Sequence, residues 1–180
     1  MTEETIDNLI EKMVVDNATK AYDYSDQLAR IGGEVVLQKM IDLLQSENKD
    51  TQYLASRTLG LTENHQDALE PLLEAILEKK NKAIQGSLAE YLDEYDCSQK
   101  FVQVFKLYLF GSLKTSAMAK EVLDYEEFDM TPRAIRKAEK HWKHYVNNVK
   151  QDETFELKKE EIEAFLSELR DLFPNENPEA

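Results

Sequence analysis

Apolar residues recur along this chain with the spacing of an amphipathic helix. The clearest stripe falls at positions i, i+3, i+4 and i+7 and consists of Leu37, Met40, Ile41 and Leu44. Polar and charged residues fill the positions between them, so one face of the helix should be buried and the other exposed. The pattern predicts helices whose apolar faces must pack against other helices.

The same stripe returns at a fixed interval. Copies that begin at Leu37, Leu69 and Phe101 lie 32 residues apart and match position by position, and a copy that begins at Ile6 joins them at a spacing of 31. A second helical segment follows each copy, and these second segments align at a spacing of 31. Such a repeat is typical of stacked helical hairpins, in which each unit packs on the next.

One position in the second segments carries only small residues. Gly86 lies inside the predicted helix from Ala83 to Leu92 and aligns with Ala55 and Ala117. Glycine in a helix costs about 1 kcal/mol relative to alanine, so the alignment indicates a close approach between neighbouring helices; the alternative is that the glycine is merely tolerated. We expect Gly86→Leu to cost about 1–3 kcal/mol by overpacking and Gly86→Ala to be mild or stabilising.

After Asp129 the repeat pattern stops. Thr131 and Pro132 have the residue types preferred at the N-cap and first position of a helix. Two further helices are predicted, with the apolar stripes Ile135, Ala138, Trp142, Tyr145, Val149 and Leu157, Ile162, Phe165, Leu166, Leu169, Phe173. We interpret residues 131–173 as a helix pair that caps the stack, and residues 174–180 as a disordered tail.

The segment "NKDTQYLASRTLGLT", from Asn48 to Thr62, carries a resemblance to a known family. It resembles the acidic turn and second helix of HEAT repeats, with Asp50 in the place of the family's turn aspartate. The similarity extends from about Ile6 to Phe128. The next turn, with Asn81 and Lys82, departs from the family pattern, and the unit is shorter than many HEAT units. The signature of tetratricopeptide repeats is absent.

The resemblance implies a fold and a class of function. The expected fold is an all-α, α-α superhelix with four helical-hairpin repeats over about residues 3–129, closed by the capping helices into a single domain of residues 1–173. The expected function is that of a non-enzymatic scaffold that binds another protein on the concave face formed by the second helices.

Charge and composition restrict the partners. The net charge of −14 disfavours nucleic acid and anionic membranes as partners. No apolar run approaches the ~20 residues that span a bilayer, so no membrane association is expected. The single cysteine, Cys97, allows no intrachain disulfide and fits a reducing, cytoplasmic location.

Residues with catalytic or metal-binding chemistry are few. The sequence has no glycine-rich phosphate loop and no Gly-x-Ser-x-Gly elbow. No His–Asp arrangement can be assigned to Cys97. His141 and His144 share a helix face, but zinc or iron needs further ligands. We predict no catalytic residue, no metal and no cofactor, and an exposed His65 near a helix N-terminus.

The capping region contains a basic segment. Residues 131–151 hold six basic residues and one acidic residue, a net charge of +5 that leaves −19 for the rest of the chain. Arg133, Arg136 and Lys140 are candidates for anion binding. HEAT-like DNA glycosylases bind DNA through basic surfaces, so the alternative function is a HEAT-like DNA-binding protein or glycosylase-like enzyme that uses this segment. The acidic residues of 121–129 could instead neutralise it, with Trp142 in the capping core, and we expect no appreciable DNA binding at ~150 mM salt.

Acidic residues repeat in the second segments. Two pairs align at a spacing of 31, namely Glu90 with Glu121 and Asp93 with Asp124. Residues three apart share a helix face, so stacking would gather the four carboxylates into one patch. We predict this patch as the docking site for a protein or peptide with a basic surface; the alternative is a face kept acidic for solubility.

Overall fold

The chain folds into helices that are joined by turns and irregular segments over the residues that the structure, a computed structural model, describes: 2–15, 18–151 and 153–174. Within these ranges there is no β-strand, which confirms the predicted all-α fold. The α-helices are α1 (Glu3–Val15), α2 (Ala18–Ile31), α3 (Gly33–Leu43), α4 (Lys49–Gly60), α5 (Leu69–Leu77), α6 (Gln85–Leu88), α7 (Phe101–Phe110), α8 (Leu113–Tyr125), α9 (Pro132–Asn148) and α10 (Glu153–Asp171). Short 3-10 helices cover Gln66–Ala68, Lys79–Asn81 and Ala89–Glu94.

Consecutive helices pack in pairs. The first helices α1, α3, α5 and α7 each contact the helix that follows, and the second helices contact one another in the order α2, α4, α6 and α8. The apolar stripes of the first helices meet in a continuous core, where residues such as Met40, Leu72 and Phe105 have no exposed surface. Neighbours in sequence are therefore neighbours in space.

Buried amide side chains hold the two helices of a pair together. Gln52 Nε2 donates to the Leu44 carbonyl at 2.7 Å, and Gln85 Nε2 donates to the Ile76 carbonyl at 2.9 Å. Leu44 and Ile76 occupy the same place in the repeated stripe, 32 residues apart. The last carbonyls of a helix have no partner within it, so these glutamines satisfy groups that would otherwise be buried and unpaired.

The helix predicted from Ala83 to Leu92 is broken. It begins at Gln85, and α6 gives way after Leu88 to the 3-10 helix Ala89–Glu94, in which Tyr91 has the non-helical angles φ −111° and ψ 20°. Ser56 Oγ in α4 donates to the Leu88 carbonyl at 3.0 Å, so this group has a partner where the α-helix ends. A Cβ on Gly60 would collide with Tyr91, so the missing side chain lets the 3-10 helix approach α4.

The predicted close approach at Gly86 is confirmed, but the close packing expected at the aligned position Ala117 is wrong. Gly86 is buried, and a Cβ placed on it would lie 2.8 Å from Lys114 Cβ in α8. Ala55 is also buried, whereas Ala117 is exposed. The next helix after α8 is α9, and it packs on α7 rather than continuing the row of second helices over Ala117.

The two C-terminal helices follow the prediction with one correction. The Thr131 side chain accepts a hydrogen bond from the Ala134 amide at 3.1 Å, which confirms the N-cap, and Trp142 is buried and stacks on Phe155. Leu157 is 72% exposed, so its place in the predicted stripe is wrong. Phe155 takes that role because it is in phase with Ile162, Leu166 and Leu169. Beyond residue 174, the predicted tail lies outside the described residues.

Substitution of Gly86 tests the contact with α8. We expect Gly86→Ala to destabilise the protein by about 1–3 kcal/mol, because the new Cβ would overpack against the base of the Lys114 side chain. This reverses the mild effect expected from the sequence. The matched control is Ala117→Leu, an exposed site that should change stability by no more than about 0.5 kcal/mol. Chemical denaturation of both variants measures the difference; equal stability of Gly86→Ala and the parent would contradict the contact.

Candidate interaction surface

Three tyrosines from successive hairpins lie close together on the side of the second helices. Tyr22 is in α2, Tyr53 is in α4 and Tyr91 is in the 3-10 helix that follows α6. The rings of Tyr22 and Tyr53 pack edge to face with centroids 6.2 Å apart. Tyr22 is 40% exposed, and the other two are half-buried. The aromatic cluster is therefore partly accessible to solvent.

Arg57 connects the tyrosines to one another. Its Nη1 donates to the Tyr91 hydroxyl at 2.7 Å, and its Nη2 donates to Asp26 Oδ1 at 2.6 Å. Its guanidinium carbon lies 5.4 Å from the centre of the Tyr22 ring, within cation–π distance. One side chain thus ties together α2, α4 and the 3-10 helix. We call Tyr22, Tyr53, Arg57 and Tyr91 the tyrosine surface.

The surroundings of Tyr53 keep its hydroxyl protonated. Burial raises the pKa of Tyr53, and the nearby charge of Glu90 raises it further. The hydroxyl of Tyr53 therefore remains available as a hydrogen-bond donor at any physiological pH.

The four carboxylates of the predicted acidic patch have different surroundings. Glu90 is paired with Lys114 at 2.9 Å, at the edge of the tyrosine surface. Asp124 is paired with Lys120, which also contacts Glu161 of α10 at 2.8 Å. Asp93 and Glu121 are exposed, and neither forms an ion pair or hydrogen bond with a residue that the structure describes. Lysines thus neutralise two of the four carboxylates, and Asp124 takes part in contacts toward α10.

The predicted anion-binding residues lie on two sides of α9. Arg133 and Lys140 line a groove between α7 and α9. Arg136 instead lines a cavity near the end of α10, together with Glu139 and Arg170. The acidic segment 121–129 has contacts elsewhere: Asp124 pairs with Lys120, and Glu126 accepts from the Cys97 amide at 3.0 Å.

The cysteine and the two histidines of α9 that were considered for catalysis or metal binding pack against other side chains. Cys97 is fully buried, and burial, with a smaller effect of Glu126, raises the pKa of its thiol to about 12. Because the thiolate is the nucleophile, this environment opposes nucleophilic chemistry. His141 and His144 pack near the Phe110 ring. Over the described ranges, no group of three or more His, Cys, Asp and Glu residues is placed to hold a metal ion.

His65 is not exposed as predicted. It is half-buried; its Nε2 lies 2.9 Å from the Glu94 carbonyl oxygen, and its ring packs edge-on against Tyr95 at 4.3 Å. These contacts join the turn before α5 to the end of the next hairpin. The side chain therefore has a structural environment that the turn sequence did not indicate.

None of the helices in the described part of the chain combines the length and the apolar character needed to cross a membrane.

Comparisons with known proteins assign no family to the chain. No protein-family model matches it, and neither the curated proteins nor the solved structures include a significant match. Function must therefore be inferred from the surfaces of the molecule.

The tyrosine surface is only weakly indicated in the sequence. Tyr22 and Tyr53 occupy one repeat position, 31 residues apart, and an aromatic side chain repeated at a half-exposed position was the available signal. Arg57 and Tyr91 carried no comparable pattern. Their contact depends on the break in the helix after α6, which the periodicity did not predict.

Burial of Cys97 predicts its chemical reactivity. Its raised pKa means that at pH 8.5 the folded protein holds the thiol protonated, whereas an unfolded cysteine is about half ionised. We expect iodoacetamide to label the native protein at least about 100-fold more slowly than the urea-unfolded protein. Mass spectrometry of the alkylated peptide measures both rates, and similar rates in the two states would contradict the burial. By linkage, the thiol's contribution to stability is complete below its unfolded pKa and decreases as the pH rises toward about 12.

Proposed function

We propose that this chain is a non-enzymatic, HEAT-like scaffold that binds another protein through the tyrosine surface. The succession of paired helices, with the second helices packed side by side, supports an α-α superhelix. Stacked hairpins of this kind offer one extended face to a partner. We also propose a cytoplasmic location, which fits the single buried cysteine.

The hydrogen bonds of Arg57 to Tyr91 and Asp26 are the observation that carries this proposal. Tyrosine and arginine dominate the energetic centres of protein interfaces because they combine apolar area with polar groups. Here their side chains are already fixed by contacts with one another, so a partner would not have to order them. Preorganisation of this kind increases affinity by reducing the entropy lost on binding.

Charge next to the tyrosine surface indicates the chemistry of the partner. Glu90 borders the surface, and Asp93 follows in the same 3-10 helix. Glu121 of α8 adds a second exposed carboxylate on the side of the second helices, whereas Glu90 is paired with Lys114. We therefore infer a partner with an apolar centre and basic residues at its edge, since complementary charge steers association.

Truncation of Tyr22 tests the site. A photoreactive benzophenone side chain at position 22 should crosslink a partner in an extract of the native cell, and the partner can then be purified. We expect Tyr22→Ala to weaken its binding by about 2 kcal/mol, or about 30-fold, as for a hot-spot residue. Titration calorimetry with the purified partner measures this loss.

Tyr125 provides the matched control for this experiment. It is a tyrosine that is 84% exposed at the end of α8, and it is not part of the tyrosine surface. Tyr125→Ala should leave affinity unchanged within about twofold. Equal losses in the two variants, or crosslinking from position 125 but not from position 22, would contradict the proposed site. Thermal melts show whether both variants remain folded.

Charge reversal tests the expected chemistry of the partner. Asp93→Lys with Glu121→Lys should slow association with the same partner at least about tenfold at low salt, and the effect should fade as salt screens the charges. Glu4→Lys with Glu11→Lys on the exposed face of α1 changes the net charge equally and serves as the control. Stopped-flow kinetics at several salt concentrations distinguish the two; an equal effect of the control would mean that only net charge matters.

A further inference from the structure

A basic groove lies between α7, the first helix of the last hairpin, and α9, the first of the two C-terminal helices. Its volume is about 910 Å³. The residues that line it include four cationic side chains and two histidines, namely Lys106, Arg133, Lys137, Lys140, His141 and His144, and none of the described lining residues is acidic. This concentration of positive charge contrasts with a chain whose net charge is −14.

The four cationic side chains of this groove have no partners within the described part of the protein. Several lysines elsewhere form ion pairs, such as Lys39 with Asp7 at 2.9 Å and Lys114 with Glu90 at 2.9 Å. No ion pair or hydrogen bond joins Lys106, Arg133, Lys137 or Lys140 to a residue that the structure describes. Unpaired like charges that lie close together repel one another, so an anionic ligand would relieve a local electrostatic cost.

The pKa of His141 is sensitive to the charges of this groove. Burial is the main cause that lowers the pKa of His141, and the positive charges of Lys106, Lys140 and Lys137 and its neighbour His144 lower it further. The cationic side chains of α7 and α9 therefore lie near the same histidine. Lys106, Lys137 and Lys140 therefore form one cluster beside His141 in the groove.

The spacing of the cluster fits an extended acidic peptide. Arg133, Lys137, Lys140 and His144 follow one face of α9 at steps of three or four residues. These steps are about 4.5–6 Å along the helix axis and about 16 Å in all. Alternate residues of an extended chain lie about 6.6 Å apart, so a segment of about six residues spans the stripe. Val102 and Ala134 provide apolar contacts beneath, and Gln99 and Gln103 can bond to a peptide backbone.

A peptide fits this groove better than nucleic acid does. No Phe, Tyr or Trp is among the described residues that line it, and among these residues only His141 and His144 have rings on which a base could stack. The chain outside residues 131–151 carries a net charge of −19. A polyanion longer than the groove would meet this acidic surface, whereas a short acidic segment would not.

We propose that the α7–α9 groove binds a short acidic segment of a partner protein in an extended conformation. The site is separate from the tyrosine surface, and its ligand has the opposite charge from the one inferred there. The two proposals can therefore fail independently. A scaffold with both sites could hold two proteins, or two regions of one protein.

A fluorescein-labelled peptide of six alternating Glu and Val residues tests the groove by fluorescence anisotropy. The parent protein should bind it at ~20 mM salt, where charge attraction is weakly screened, and should not bind a peptide of alternating Lys and Val. Lys137→Glu with Lys140→Glu should weaken binding at least about tenfold. Lys143→Glu with Lys150→Glu changes the net charge equally outside the groove and should leave affinity unchanged within about twofold.

Several results would overturn the proposal. The proposal fails if the parent protein does not bind the acidic peptide. It also fails if both double variants lose affinity equally, because that would show a general effect of net charge. Tighter binding of a labelled single-stranded hexanucleotide would identify the groove as a nucleic-acid site. The parent and the control variant could sediment as dimers while the Lys137→Glu, Lys140→Glu variant sediments as a monomer. That result would show that a second copy of the chain fills the groove. Circular dichroism confirms that the variants compared are folded.

Discussion

The pairing of buried carbonyls at the ends of the first helices is the constraint on which the rest of this structure depends. Leaving such a group unpaired in the core costs about 1–3 kcal/mol. Gln52 and Gln85 meet this requirement at Leu44 and Ile76, and Lys158 of α10 does so at Tyr108 with a bond of 2.6 Å. Each of these bonds fixes one helix against another. The amides that satisfy the backbone therefore also determine where the second helices lie.

Gln85 links hairpins as well as helices. Its Oε1 accepts from the Ser112 amide at 3.1 Å, at the start of α8, while its Nε2 bonds to the end of α5. The same few residues include Gly86, which lets Lys114 approach. The short helix α6 is thus held on both sides, and the chain leaves it as a 3-10 helix that places Tyr91 against Arg57. The position of the tyrosine surface follows from this packing.

The two proposed sites lie in different parts of the molecule and differ in charge. The tyrosine surface belongs to the second helices and is bordered by carboxylates. The basic groove involves α7, a first helix, and α9, which departs from the repeat. Opposite charges in separate places disfavour interchange of their ligands, because each site repels the ligand of the other. This separation is what a protein that joins two partners would require.

The sequence alone determined the helical class, the stripes that form the core and the N-cap at Thr131, since all three depend on local spacing and residue type. It also indicated the close contact at Gly86. The tertiary structure decided what local spacing does not contain: the break after Leu88, the exposure of Ala117, and the replacement of Leu157 by Phe155 in the core. It likewise brought Arg57 to Tyr91 and separated Arg136 from Arg133 and Lys140. In each case the outcome depends on which helix packs opposite, and a periodic pattern specifies the buried face of a helix but not its neighbour.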